Sequence, residues 1–351
     1  MTVFEIIDNL YLKSDISHSE CVSLLNEYKN EKVREYLFSK SSYITEKIFN
    51  KKIYIRGLIE YSNYCKNDCF YCGIRKSNQN LERYRLNKEE ILTACKNGYE
   101  LGFRTFVLQG GEDGYFNDEL TCEIISEIRN KYPDCAITLS MGEKSYESYK
   151  KFYDSGANRY LLRHESINPL HYSKLHPESL NITSRVRCLN DLKEIGYQVG
   201  CGFMVGSPYQ TVDNIAEDII FIKEFKPHMI GIGPFIPHID TPFKNFTSGD
   251  YRLCTFIIAI LRLINNFALI PATTALNSVN KNGRKEGILA GANVIMPNLS
   301  PFDVRDKYNL YNGKLSTGIE GAESLEGLKK EIKSIGFVIS TKRGDYIECK
   351  V

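Results

Sequence analysis

The sequence predicts an α/β chain closed into a (β/α)8 TIM-type barrel, and three observations predict it. From about residue 51, eight short β-rich runs follow one another. Longer amphipathic segments separate them, as crossovers between parallel strands require. The runs are near-continuously apolar rather than alternating, which marks strands covered on both faces. Eight such units close naturally into a barrel.

In order, the runs are IYIRGLIEYS (53–62), TFVLQGG (105–111), AITLSMG (136–142) and RYLLRHE (159–165). They continue with QVGCGFMVG (198–206), MIGIGPFIP (229–237), ALIPATTAL (268–276) and NVIMPNL (293–299). Between them, NKEEILTACKNGYELG carries an Asn cap and glutamates in its first turn, a helix start. TVDNIAEDIIFIKEF and SRVRCLNDLKEIG read the same way. Residues 1–50, polar and without glycine, predict an N-terminal helical extension. The barrel spans 51–315. Residues 316–351 supply a short helix, ESLEGLKKEIKSIG, and a charged tail packed on the barrel.

Composition bounds the function. Of 351 residues, 42% are hydrophobic and 25% charged, ordinary for a globular chain with a sizeable core. A net charge of +2 gives no electrostatic case for nucleic acid or an anionic membrane. The start, MTVFEIIDNLYLKSD, lacks the basic-then-apolar pattern of a signal peptide. CTFIIAILRLI is broken by Arg262 and is too short to span a bilayer. A cytoplasmic protein is expected. Eleven cysteines without a secretion signal argue against a disulfide framework. Eight are scattered singly and read as small buried apolar residues.

Barrel chemistry sits at the C-terminal ends of the strands. Here those ends are polar: Gln109-Gly110-Gly111-Glu112, Ser140-Met141-Gly142-Glu143, Arg163-His164-Glu165 and Pro237-His238-Ile239-Asp240. His238 and Asp240 are read as shaping the loop after the sixth run. After the first run stands CKNDCFYC, with Cys65, Cys69 and Cys72 in a C-x3-C-x2-C spacing. Three thiolates leave one iron of a cubane cluster open to a small molecule. A zinc site completed by a distant fourth ligand is the alternative.

Arg185 is a cation in the first turn of a helix beginning near Thr183 or Ser184. The helix dipole disfavours it there by up to about 1 kcal/mol, so it reads as a holder of an anion, the alternative being a solvated surface arginine.

The triplet, with Tyr71 just before its last cysteine, resembles the radical S-adenosylmethionine superfamily. The resemblance implies one 4Fe–4S cluster whose open iron is chelated by the amino and carboxylate groups of S-adenosylmethionine. An electron enters the sulfonium, the C5′–S bond breaks, and a 5′-deoxyadenosyl radical results. Gly110-Gly111-Glu112 then resembles the element that approaches the methionine amino group. Met204, within Gly202–Gly206, falls beside the adenine. Arg185 takes the methionine carboxylate, and Glu165 is the acidic partner of Arg185 or of the cofactor. Ser140 joins the cofactor set.

Over roughly residues 55–315, the segments VLQGGEDGYF, NRYLLRHESINPLHYSKLHP, GFMVGSPYQT, GIGPFIPHIDTPF, IPATTALNS and GANVIMPN resemble the HydE family of FeFe-hydrogenase maturases. Methylornithine synthase and biotin synthase share the barrel and the triplet. A HydE-like role implies a small organometallic substrate, an iron complex carrying cysteine, CO and cyanide. It is attacked at the cysteine sulfur on the way to the two-iron part of the H-cluster. It further implies transient contact with other hydrogenase maturases and an electron donor. The expected substrate contacts are Arg159 and Arg163, then Thr273, Thr274 and Met296 from the last two runs. Tyr308 and Tyr311 either cap the chamber or pack a C-terminal segment onto the barrel. KLSTGIEGAESLEGLKKEIKS holds no cysteine for an auxiliary cluster, so a single cluster is expected. The rival reading is a radical enzyme on a small organic substrate, of the methylornithine- or biotin-synthase kind.

Overall fold

The computed structural model describes residues 1–347 apart from Thr317, so Cys349 lies outside the described residues. The barrel staves are all parallel. Strands β1 (Lys52–Ile55) and β2 (Gly57–Ser62) form the first stave. It is followed by β3 (Thr105–Gly110), β4 (Ala136–Ser140) and β5 (Arg159–Leu161). The fifth stave is β6 (Gln198–Cys201) with β7 (Met204–Val205), and the sixth is β8 (Met229–Ile230) with β9 (Gly233–Pro234). Closure runs through single bridges, Met229 to Leu269 and Pro271 to Val294. From there β10 (Val294–Ile295) pairs with β1, and Asn298 bridges Leu58. The eight staves match the eight apolar runs.

The fifth, sixth and seventh runs differ from continuous strands. The fifth and sixth are interrupted where Gly202, at φ +149°, meets Gly231. A Cβ on Gly202 would lie 2.0 Å from the Gly231 carbonyl oxygen, so only glycine permits that approach. The seventh run contributes its bridges at Leu269 and Pro271 and then turns into the helix Thr274–Val279. Thr274 is therefore a helix residue rather than a strand end.

The crossover helices begin where the caps place them. Asn87 and Glu90 close a capping box on the helix Lys88–Glu100, and Thr211 and Asn214 do so on Val212–Phe225. Each such cap contributes about 1 kcal/mol. The run CTFIIAILRLI forms most of the helix Tyr251–Ile264, buried throughout from Cys254 to Ile264. It is apolar all round because the N-terminal helix Glu31–Phe49 covers its outer side. Arg262 is accommodated there by the carbonyls of Gly291, Asn266 and Ala268 at 2.8–2.9 Å. Among the described residues, no helix is long and apolar enough to cross a membrane.

The barrel floor is sealed by the C-terminal segment. After the helix Leu325–Ser334, β11 (Val338–Ser340) pairs with β1, and the chain then crosses beneath the staves. There Arg159, fully buried, donates to the carbonyls of Arg343 (3.2 Å) and Gly344 (3.0 Å) and to Asp345 (2.7 Å). Thr105 donates to the same Arg343 carbonyl at 2.8 Å. Arg159 opens β5, so it points to the N-terminal face and away from the chemistry. The expectation that it meets a bound substrate is corrected. Arg159→Met should lower stability by about 2–3 kcal/mol, the scale of lost charge-assisted bonds. Affinity for S-adenosylmethionine should not change. Thermal unfolding and titration calorimetry on one preparation check both.

Candidate active site

The cysteine loop leaves the first stave at Ser62 and is held from three sides. Asn63 bonds the carbonyls of Glu82 and Lys307, Lys66 N–H donates to the Glu112 carbonyl at 2.9 Å, and Phe70 N–H donates to the Leu175 carbonyl at 2.9 Å. Arg83 gathers the carbonyls of Asn63, Ile74, Arg75 and Asn78. The loop is thus fixed by its own backbone before any ligand binds.

Cys65, Cys69 and Cys72 are free and half-buried. Burial raises all three thiols, Cys69 to about 12, and neighbouring cysteines add to the rise at Cys69 and Cys72. Backbone N–H groups of Asn67 and Glu112 oppose the rise at Cys65, the latter 3.4 Å from its sulfur. Thiols held this high stay protonated at neutral pH, and a metal that binds them must displace the protons. The three feel one another's charge, yet among the described residues no three His, Cys, Asp or Glu close round a single point. A cubane spreads its thiolates over three irons and fits that spacing.

Gly111 shows how tightly the second stave approaches the loop. A Cβ there would stand 2.1 Å from the Tyr64 carbonyl oxygen and 2.8 Å from the Cys65 Cβ. Gly111→Ala should therefore push Cys65 out of place. Iron retained after anaerobic reconstitution should fall severalfold while the circular dichroism stays that of a folded barrel.

Glu112 beside it is fixed by Glu143 N–H (3.1 Å to Oε1) and Lys66 Nζ (3.2 Å to Oε2). Gly142, at φ +74°, leaves room for that carboxylate. Ser140 ends β4 half-buried, level with Gln109 in β3.

Arg185 lies in the first turn of the helix Ile182–Ile195, capped by Asn181. Its Nε donates to Glu143 at 2.6 Å, and Nη1 to the Arg163 carbonyl at 2.9 Å. Ser184 donates to the other Glu143 oxygen at 2.8 Å. Glu143 therefore offsets the unfavourable dipole position. Glu165 does not partner Arg185, and that expectation is corrected: it pairs with Arg163, Nη2 to Oε2 at 3.1 Å. Glu165 holds a left-handed backbone, φ +63°, a strained choice for a side-chain-bearing residue. His164 between them turns the other way, accepting from Gly202 N–H at 3.3 Å and standing 3.2 Å from Asp218. That buried pair anchors the segment to the helix behind it.

Tyr71 and Met204 share one apolar cluster with Leu175, Phe235 and Phe243. Tyr71 meets His176 at 3.2 Å (OH to Nε2), and His176 Nδ1 faces the Tyr172 carbonyl at 2.9 Å while its ring stacks on Tyr172. Burial depresses His176 from 6.5 to about 3. The neutral ring therefore donates from Nδ1 and accepts the Tyr71 hydroxyl at Nε2. A depressed base binds fewer protons folded than unfolded, so its contribution is complete above the unfolded value. Stability should fall as pH drops from about 6.5 toward 3, by at most about 1.4 kcal/mol per unit for this group. His176→Phe should flatten that slope in denaturant titrations.

The substrate-side residues spread more widely than the sequence suggests. Thr273 caps the helix Thr274–Val279, and its hydroxyl has no hydrogen-bond partner in the structure. Thr274 gives its hydroxyl to Glu320 at 3.2 Å instead. Met296 shares strand parity with Asn298, whose Nδ2 reaches Glu60 inside the barrel at 2.9 Å. Lys314 enters the same space and pairs with Glu60 at 2.8 Å, its Nζ 5.2 Å over the Tyr308 ring. Tyr308 is buried and Tyr311 half-buried, in the segment between the short 3-10 helix Phe302–Lys307 and Lys314. His238 packs against Gly73, and its Nδ1 accepts from Asp240 N–H at 3.1 Å. Glu143, His176, Glu60 and Lys314 had no role assigned from sequence. Only Glu143 carried a visible signal, as a charge directly after an apolar run.

Residues 59–222 match the Radical SAM superfamily. The FeFe-hydrogenase maturase subunit HydE of Thermotoga maritima is 42% identical over 302 residues, 86% of either chain. The chain belongs to the HydE family of radical S-adenosylmethionine enzymes. As such an enzyme it uses a 4Fe–4S cluster and S-adenosylmethionine. The 3-methylornithine synthase of Methanosarcina acetivorans is 28% identical, over 88% of this chain and 84% of that one. A crystal structure of methylornithine synthase superposes with a TM-score of 0.84 at 23% identity, over 95% of this chain and 97% of that one. That likeness shows the barrel fold.

Proposed function

We propose that this chain is a maturase of FeFe-hydrogenase that cleaves S-adenosylmethionine reductively and acts on a small anionic iron complex in the barrel lumen. The observation that carries the reading is the 42% identity to HydE over 86% of the chain, against 28% to a methylornithine synthase. When bound, the cluster supplies the electron that breaks the C5′–S bond of S-adenosylmethionine and yields the 5′-deoxyadenosyl radical. Cys65, Cys69 and Cys72 hold the cluster. Arg185 binds the methionine carboxylate, with Glu112, Gly110 and Gly111 lining the amino end, Ser140 and Glu165 beside them, and Tyr71 and Met204 flanking the adenine.

The charge of the lumen supports an anionic substrate. Arg56 reaches across from the first stave to Met229 Sδ in the sixth, and its Nε and Nη2 are buried without a hydrogen bond. Arg163, nearer the mouth, turns Nη2 to Glu165 and has its Nε without a hydrogen bond. A buried cation with spare donors is costly unless an anion meets it. Thr273, Met296, Tyr308 and Tyr311 complete the wall. Other hydrogenase maturases would supply the substrate and receive the product.

Anaerobically reconstituted protein should form 5′-deoxyadenosine under strong reductant and stimulate activation of an apo-hydrogenase. Cleavage without stimulation would remove the maturase role. Turnover of lysine or dethiobiotin would favour the small-organic-substrate reading.

A further inference from the structure

The hydroxyl of Tyr71 has a single proton to give and two neighbours able to take it. His176 is the first, with its Nε2 3.2 Å away. Cys69 is the second: burial raises that thiol, and the Tyr71 hydroxyl, within hydrogen-bond reach, acts to lower it. The choice between them is made on the far side of the imidazole. His176 Nδ1 lies 2.9 Å from the Tyr172 carbonyl, and a carbonyl only accepts, so Nδ1 carries the ring hydrogen. Burial first, and the Arg185 charge after it, keep the ring neutral. Nε2 is then a bare acceptor, and the Tyr71 proton points to it and away from Cys69.

The surroundings hold this arrangement. His176 caps the C-terminus of the helix Pro169–Leu175, and Phe70 N–H donates to the Leu175 carbonyl at 2.9 Å. The cysteine loop and the imidazole therefore share one anchor. The ring stacks on Tyr172 at 3.9 Å between centroids and meets Tyr71 edge-on at 5.4 Å. His176 is 2% exposed, which shields its Nε2 from solvent competition.

We propose that His176 is a positioning residue: it turns the Tyr71 hydroxyl proton away from the Cys69 sulfur and so keeps the cluster strongly reducing. The proposal rests on the reading that Cys65, Cys69 and Cys72 hold a 4Fe–4S cluster. Hydrogen bonds to the sulfurs help set the potential of such clusters. A donor on a ligand thiolate stabilises the reduced, more negative state, which makes the cluster easier to reduce and a weaker reductant. Reductive cleavage of a sulfonium calls for the opposite. The Tyr71 phenol would be such a donor if it turned to Cys69, and the imidazole holds it back.

The test measures the reduced fraction of the reconstituted cluster by electron paramagnetic resonance at one fixed potential, before S-adenosylmethionine is added. His176→Phe keeps a ring to stack on Tyr172 but removes the acceptor, so Tyr71 turns to Cys69. The ratio of reduced to oxidised cluster should rise by about tenfold, which is a shift of about 59 mV for one electron. Tyr71→Phe should stay close to the wild type, and His176→Phe combined with Tyr71→Phe should return to that level. His176→Gln can donate to the Tyr172 carbonyl and accept from Tyr71, so it should also stay close to the wild type. An unchanged ratio in His176→Phe would overturn the proposal, as would a ratio still raised in the double variant or an equal rise in His176→Gln. In the cluster-free chain, nitrogen NMR of labelled histidine should find the His176 proton on Nδ1, and a proton on Nε2 would count against the proposal decisively. A wild type that takes up no 4Fe–4S cluster sinks the ligand reading and this proposal together, whereas a loaded cluster indifferent to His176 sinks this proposal alone.

Discussion

A Cys69→Ser chain is expected to come through anaerobic reconstitution without 4Fe–4S absorbance and with no detectable cleavage of S-adenosylmethionine. Cys69 is the middle cysteine of the proposed ligand set, which has no spare. The spacing places it between Cys65, which leans on the second stave through Glu112 N–H, and Cys72, followed by Gly73 against the Asn309 carbonyl and His238. A serine hydroxyl ionises far less readily than a thiol and is a harder ligand, poorly matched to iron–sulfur chemistry. Two thiolates would remain on a loop whose backbone is already bonded elsewhere, so no neighbouring cysteine can swing in. The loss should leave the fold intact, because Cys69 is half-buried and contributes little to the core. Cys122→Ser is the matched control: it is half-buried on the helix Asp118–Lys131 and should keep its full iron content. Iron and zinc analysis of the same samples decides between the two metals. Retained cleavage in Cys69→Ser would refute the ligand set.

The staves were legible because strands covered on both faces leave continuous apolar runs, and the polar ends of those runs lay at the mouth as barrel geometry requires. What stayed hidden depends on partners far apart in the chain. Arg159 stands at the floor because residues 343–345 fold beneath it, a contact 184–186 positions distant. The Glu60–Lys314 pair spans 254 positions. Arg185 chose Glu143 over Glu165 because the helix Ile182–Ile195 docks against the end of the third stave, a register that periodicity alone does not fix. Glu165 pairs with Arg163, two residues back along the chain beyond the end of β5. Thr274 was read into a strand because its neighbours Ala272 and Thr273 continue the apolar, β-branched pattern, yet the barrel needs only the bridges at Leu269 and Pro271 from that run. His176 carried no legible signal. Its role comes from folding back onto Tyr172 at helical spacing while facing Tyr71 across the cysteine loop.

Arg185→Leu is expected to weaken S-adenosylmethionine binding by about 100- to 1,000-fold, or about 3–4 kcal/mol. Two contributions add. The bond proposed between the guanidinium and a bound carboxylate is lost, and Glu143 loses its 2.6 Å partner beside that proposed site. Leaving Glu143 uncompensated places a second negative charge beside the anion, which repels it as well as failing to bind it. Arg185→Lys keeps the charge but cannot hold Glu143, the Arg163 carbonyl and a ligand at once, since an ammonium lacks the planar fork. It should recover only part of the affinity. Glu143→Gln removes the carboxylate but keeps an acceptor for Arg185 and Ser184, so its loss should be smaller than that of Arg185→Leu. Calorimetric Kd values and unfolding midpoints measured together separate two roles. If Arg185→Leu lowers the midpoint and leaves Kd unchanged, the guanidinium only ties the helix to the strand ends, and the cofactor's carboxylate must be held by Arg163.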